Sequence, residues 1–221
     1  MKASLKGIIF DLDGTLLNTL EDIADAMNLT LTEYNLPQRP QANFGSIVGG
    51  GAEDIARRLL PPEQQSREAI MGFVERFRSH YRKNWKAKTQ FYDGMPELIK
   101  FLMDREFRLG VLSNKPQEFV LSLAGEFLNH GQQIFDPVWG QQSEFPVKPH
   151  PDGALSIARA WSVSPGQIGF MGDSDVDMQT AKNAGMLALG AAWGFRSIEE
   201  LERSGADVVL HHPLDLIHLI T

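Results

Sequence analysis

The chain has 221 residues, 43% of them apolar and 22% charged, and carries a formal net charge of −7. This balance suits a globular protein and argues against a general binder of nucleic acid or of anionic membrane surfaces. With no cysteine, disulfides, thiolate catalysis and cysteine-held zinc are excluded. No apolar run approaches the roughly 18 residues or more of a membrane span, so a cytoplasmic protein is expected.

Leu5 to Phe10 reads as a short buried strand that runs into "DLDGT". A helix follows, with Leu20, Ile23, Met27, Leu31 and Tyr34 on one face. Asn18 and Glu21 suggest a capping-box variant at its start, and "NLPQRP" ends it. "FGSIVGGG", Phe44 to Gly51, reads as a flexible turn, and "AEDIARRLL" as a short helix stopped by Pro61 and Pro62. Ile70, Phe73, Phe77, Tyr81 and Trp85 line a longer helix. Leu20 to Trp85 is therefore expected to be helical throughout.

From "GMPELIKFLMDR" onward, helices alternate with strands: "FRLGVLSN", "DPVWG", "IGFMGDS", "MLALGAAW" and "ADVVL". Strands alternating with helices predict an α/β fold, a Rossmann-like parallel sheet with helices on both faces. The helical stretch is an insert in it. The expected division is a core of 1–15 and 92–221 with a helical insert of 16–91.

Several strands stop in polar residues: Asp11 after the first, Ser113 and Asn114 after "FRLGVL", and Asp173 after "IGFMG". In an open parallel sheet, ligands bind beyond the carboxyl ends of the strands. Lys148 precedes a helix and could reach the same rim. Asp11, Asp13, Asp173 and Asp177, without Cys or a paired His, favour a hard cation with oxygen ligands, Mg²⁺ foremost. A lysine and a hydroxyl would face an anion, which is the composition of a phosphoryl-transfer site. Each piece alone reads as a turn, a cap or a surface residue. Their order at successive strand ends outweighs those readings jointly.

With these residues in view, the chain resembles the haloacid-dehalogenase-like superfamily of phosphatases. "DLDGT" matches its first motif, Ser113 its second, Lys148 in "KPHPD" its third and "GDSDVD" its fourth. The resemblance implies that Asp11 is the nucleophile and Asp13 the general acid and base. It implies Mg²⁺ held by Asp11, the Asp13 carbonyl and Asp173, with Asp177 in support. Ser113, Asn114 and Lys148 would bind the substrate, and Thr15 would assist there and orient Asp13. The dehalogenases of the superfamily lack the second aspartate, so Asp13 favours phosphoester chemistry.

The insert resembles the small helical cap of one subgroup, with "SIVGGG" as its loop toward the site. Arg57 and Arg58 could meet an anionic leaving group, or lie at the surface. "VLSNKP", "FYDGMPELIKFL" and "VGGGAEDI" most resemble phosphoglycolate phosphatases. The expected partner is a small phosphorylated metabolite, with no nucleic acid and no membrane, for a monomer or homodimer. The alternatives are a sugar-phosphate mutase, a pyrophosphatase, a nucleotide phosphatase or, remotely, an inactive binding protein on the same scaffold.

Overall fold

The computed structural model describes residues 5–129 and 131–220. The chain divides into two compact units, residues 1–18 with 91–221, and residues 19–90.

The strands among the described residues are β1 (Gly7–Phe10), β2 (Leu17–Asn18), β3 (Gln90–Phe91), β4 (Arg108–Pro116), β5 (Val138–Gln141), β6 (Ile168–Gly172), β7 (Leu187–Ala191) and β8 (Val208–Leu210), with β2 and β3 at the two points where the chain passes between the units. Among the described residues, six of these form one sheet in the order β5-β4-β1-β6-β7-β8. Every described pairing in it is parallel. β1 is central, and all four of its residues are buried. A strand with both faces covered should be continuously apolar, as "IIF" is. Ile9, Leu112, Ile168, Phe170 and Ala188 share one cluster with Ala154, Ile157, Met178, Ala181 and Leu201 of the helices that follow. Ile8, Phe10 and Met171 are equally buried, so the sheet is covered on both faces, as the alternation predicts.

β1 makes its next sheet connections to β4 on one side and β6 on the other. That reversal creates a crevice beyond the strand ends. Phe10 pairs with Val111 and with Met171, so Asp11 emerges level with Leu112 and Gly172. Asp173 and Ser113 stand one step further along.

The smaller unit contains α1 (Leu20–Glu33), α2 (Ala42–Gly45), α3 (Ala52–Leu59) and α4 (Arg67–Asn84). α1 packs on α4, and α3 on α4. Ile23, Met27 and Leu31 of α1 and Ile70, Phe73, Phe77 and Tyr81 of α4 are buried, the stripes that their spacing predicts. Two local readings need correction. Asn18 lies in the extended β2, so Thr19 is the N-cap of α1 and no side-chain cap forms. Phe44 and Gly45 are helical rather than part of a turn, because burial of the Phe44 ring holds that segment.

The remaining helices all belong to the larger unit: α5 (Met95–Met103), α6 (Gln117–Leu123), α7 (Asp152–Trp161), α8 (Asp175–Ala184), α9 (Ile198–Arg203) and α10 (Asp215–Ile220). Among the described residues, no helix is long and apolar enough to cross a membrane.

Candidate active site

Asp11 continues the ladder one step past β1, its N–H donating to the Met171 carbonyl at 2.8 Å. Its carboxylate is buried and pairs with Lys148 Nζ at 2.8 Å. The same ammonium lies 2.6 Å from Asp177 Oδ1. Asn114 sets the lysine in place. Its amide donates to the Lys148 carbonyl at 3.1 Å, and the Lys148 N–H donates back to Asn114 Oδ1 at 2.8 Å.

Asp177 lies in the first turn of α8. Its Oδ2 accepts the Ser174 N–H at 3.1 Å and the Ser174 hydroxyl at 2.5 Å. The Ser174 hydroxyl in turn accepts the Asp177 N–H, which completes a capping box. One Asp177 oxygen is thus committed to the helix start and the other to Lys148.

Asp173 accepts the Thr15 hydroxyl at 3.0 Å on Oδ1 and the Phe195 N–H at 2.8 Å on Oδ2. Gly14, at φ 86°, and Gly194 both lie so close to this carboxylate that a Cβ at either position would overlap it. The indole N–H of Trp193 donates to the Thr15 carbonyl at 3.0 Å, which ties the loop after β7 to the turn after β1.

Asp13 has a separate partner. Lys115 Nζ lies 2.9 and 3.1 Å from its two carboxylate oxygens. Ser113, near the end of β4, is buried and accepts the Lys115 N–H at 3.2 Å. Leu12, between the two aspartates, is wholly buried, as alternation along extended chain requires.

Burial is the main influence on the carboxylates. It pushes Asp11 up to about 7; Lys148 pulls the other way, and Asp177 and Asp13 add to the rise. Asp173 is pushed well above the ordinary range by burial, then by Asp177 and Asp11, against the bonds from Phe195 and Thr15. Burial draws Lys148 downward, but Asp11 and Asp177 outweigh it and the net shift is upward. The Tyr92 phenol is raised by burial and by the charges of Asp173 and Asp13.

Oxygen atoms of Asp11, Asp173 and Asp177 lie within 4.8 Å of one another. Three buried carboxylates meet here, two of them paired with Lys148, and burial is the largest influence on Asp11 and on Asp173. An all-oxygen donor set of this kind fits a hard divalent cation.

The structure therefore brings Asp11, Lys148, Asp173 and Asp177 together and sets Asp13 beside Lys115. Two of the expected residues make specific bonds inside this cluster. Asn114, expected to bind substrate, exchanges two hydrogen bonds with the Lys148 main chain. Thr15 donates its hydroxyl to Asp173 rather than to Asp13. Arg58 pairs with Asp54 at 2.7 Å and Arg57 approaches Glu53 at 4.0 Å, both about half exposed, which is the surface reading. Lys115 was absent from the expected set. Its signal was its place two residues beyond Ser113, at the end of the same strand.

The sequence profile of the haloacid dehalogenase-like hydrolases matches residues 8–191. The chain belongs to this family. Among its relatives, the phosphoglycolate phosphatase of Mannheimia succiniciproducens is 31% identical over the full length of both chains. That of Aquifex aeolicus is 31% identical, over 98% of this chain and 97% of the relative. A crystal structure of a Haemophilus somnus protein for which the same activity is predicted superposes with a TM-score of 0.89 at 28% identity, covering 99% of both chains. This haloacid dehalogenase-like hydrolase thus shares the fold of that crystal structure over nearly its whole length.

Proposed function

We propose that this phosphatase hydrolyses a small phosphomonoester of the phosphoglycolate type, with Mg²⁺ as cofactor, through an aspartyl-phosphate on Asp11. The observation that carries the reading is the division of labour between the two aspartates of "DLDGT". Asp11 is buried against Lys148 within the three-carboxylate cluster. Asp13 stands apart, at the less buried end with Lys115. Names of full-length relatives support the substrate type.

In the first step an Asp11 oxygen attacks phosphorus, and the bond from phosphorus to the leaving oxygen breaks. Asp13 gives that oxygen its proton, and the alcohol departs. In the second step Asp13 takes a proton from water as the water oxygen attacks phosphorus. The bond between phosphorus and the Asp11 oxygen breaks, and phosphate leaves. Lys148 and Ser113 bind the phosphoryl oxygens as charge redistributes among them. Asp177 holds Lys148 in position, and Thr15 and the Phe195 N–H orient Asp173. Asp11, Asp173 and the Asp13 carbonyl would hold Mg²⁺, whose charge lets a phosphate dianion approach a carboxylate.

The division into a core of 1–15 and 92–221 and a helical cap of 16–91 belongs to this proposal, as do a cytoplasmic location and a monomer or homodimer. Phosphate release from a panel of phosphomonoesters, with Mg²⁺ and with chelator, tests the reading. Phosphoglycolate is expected among the best substrates, and chelator is expected to stop its turnover. Release that survives the chelator would overturn the metal assignment, and no release from any member of the panel would overturn the activity.

A further inference from the structure

We propose that Lys115 is a specificity-determining residue, and that it binds a carboxylate carried by the leaving alcohol on the carbon next to the phosphoester oxygen. The inference rests on the roles given to Asp11 and Asp13 above and deepens them. The site holds two buried ammonium groups with different partners. Lys148 lies between Asp11 and Asp177, on the side of the attacking oxygen. Lys115 lies 2.9 and 3.1 Å from the Asp13 oxygens, its side chain 5% exposed. In an in-line displacement, the attacking and leaving oxygens lie on opposite sides of phosphorus. The cation that accompanies Asp13 therefore sits with the leaving group.

Such a placement needs a reason. A buried ammonium on the leaving-group side is matched by an anionic leaving group, because a buried charge pair is screened little by solvent. A carboxylate carried by the leaving alcohol would meet this ammonium on the side of Asp13. The reach is right for a short hydroxy acid. The leaving oxygen must come within about 3 Å of Asp13 to take its proton, and a carboxylate two bonds from that oxygen then falls beside Lys115 Nζ. The lysine is well placed to wait for it: β4 runs through Lys115 to Pro116, and the Lys115 N–H is bonded to the Ser113 hydroxyl. A sugar or nucleoside leaving group brings hydroxyls to this point and no charge. The favoured class is therefore the phosphate esters of small 2-hydroxy acids.

The test compares phosphoglycolate with 2-hydroxyethyl phosphate, which has a hydroxymethyl group where the former has its carboxylate. The unaltered enzyme is expected to favour phosphoglycolate in kcat/KM by about 10- to 100-fold, the scale of one charge-assisted hydrogen bond. In Lys115→Gln, kcat/KM for phosphoglycolate should fall at least tenfold further than for the uncharged ester, chiefly through KM, and Lys115→Arg should recover part of the loss. Equal losses on both esters would leave Lys115 a positioning residue for Asp13 and overturn the proposal, as would an unaltered enzyme without the preference. Inhibition of the unaltered enzyme needs no variant: glycolate should compete at lower concentration than ethylene glycol, and equal inhibition would overturn it too. No Mg²⁺-dependent release from any ester is a different result, since it removes the phosphatase reading on which the proposal stands.

Discussion

Asp22 in the helical unit and Asp11 in the sheet unit are both buried carboxylates, and they are treated in opposite ways. Asp22 receives the Lys88 N–H on both oxygens at 3.1 Å, the Thr89 N–H at 2.9 Å and the Thr89 hydroxyl at 2.8 Å. It ties the start of α1 to the chain after α4, and its charge is met by donors fixed in the fold. Asp11 has Lys148, which it shares with Asp177, and two further acids nearby. A fold that needed only a buried carboxylate would build the first arrangement. The second is costly to hold, and such costs gather where chemistry requires an incompletely satisfied group.

The widest separation between the two comes from replacing each in turn. Asp11→Asn should lower Mg²⁺-dependent phosphate release on the order of 10⁴-fold or more, as loss of a nucleophile does. Its stability to urea should stay level or rise, because a neutral amide removes one of the crowded charges while still accepting from Lys148. Asp22→Ala should do the reverse. It strands the buried N–H and hydroxyl of Thr89 and the part-buried N–H of Lys88, at a cost of about 3 kcal/mol, and changes kcat by little. An Asp11→Asn protein as active as the parent, or as destabilised as Asp22→Ala, would erase the distinction.

Mg²⁺ sharpens the comparison without reference to turnover. At a hundred times its Kd, a ligand specific to the folded state adds about 2.7 kcal/mol. For a chain of this size that corresponds to a rise of roughly 5–11 °C in Tm. The rise should be present in Asp22→Ala, measured from its lower starting point, and absent in Asp173→Asn. A full Mg²⁺ shift in Asp173→Asn would remove that residue from the cation site.

How far the two aspartates could be told apart from sequence follows from the range of their contacts. The parallel sheet was legible because each strand is a short apolar run closed by turn residues, and each helix keeps its own periodicity. Asp11 and Asp173 were legible because a carboxylate directly after a buried strand has few structural uses. Asp22 was not, since its donors lie 66 and 67 residues away and its neighbours in sequence give no sign of them. Thr15 was assigned to Asp13, close in sequence, while its hydroxyl meets Asp173, 158 residues distant. Lys115 was missed because "VLSN" reads as a strand ending in two polar residues. β4 in fact runs on to Pro116 through a register irregularity after Leu112, which carries Lys115 to Asp13.

Asp207 provides a third, milder case, in the same unit as Asp11 but near the surface. It pairs with Lys182 of α8 and accepts the Ala188 N–H at 2.9 Å. Burial is the largest single influence and acts upward, but the Lys182 hydrogen bond, the Ala188 N–H and the Lys182 charge together outweigh it, so the group is lowered. A lowered carboxylate stabilises the fold above its unfolded value, about 3.9, and that contribution fades as pH falls through the folded value. Asp207→Asn keeps an acceptor for Ala188 and loses the charge, so it should cost about 0.5 kcal/mol near neutral pH, the scale of an exposed ion pair. Urea unfolding of parent and variant from pH 6 down to pH 3 should show the difference shrinking below about pH 4, and shrinking also in high salt. A difference that widens with acid would reverse the sign of the Lys182 interaction. The contrast with Asp11 is then one of direction: charge on Asp207 is favoured by the fold, whereas charge on Asp11 is held against burial until a cation joins it.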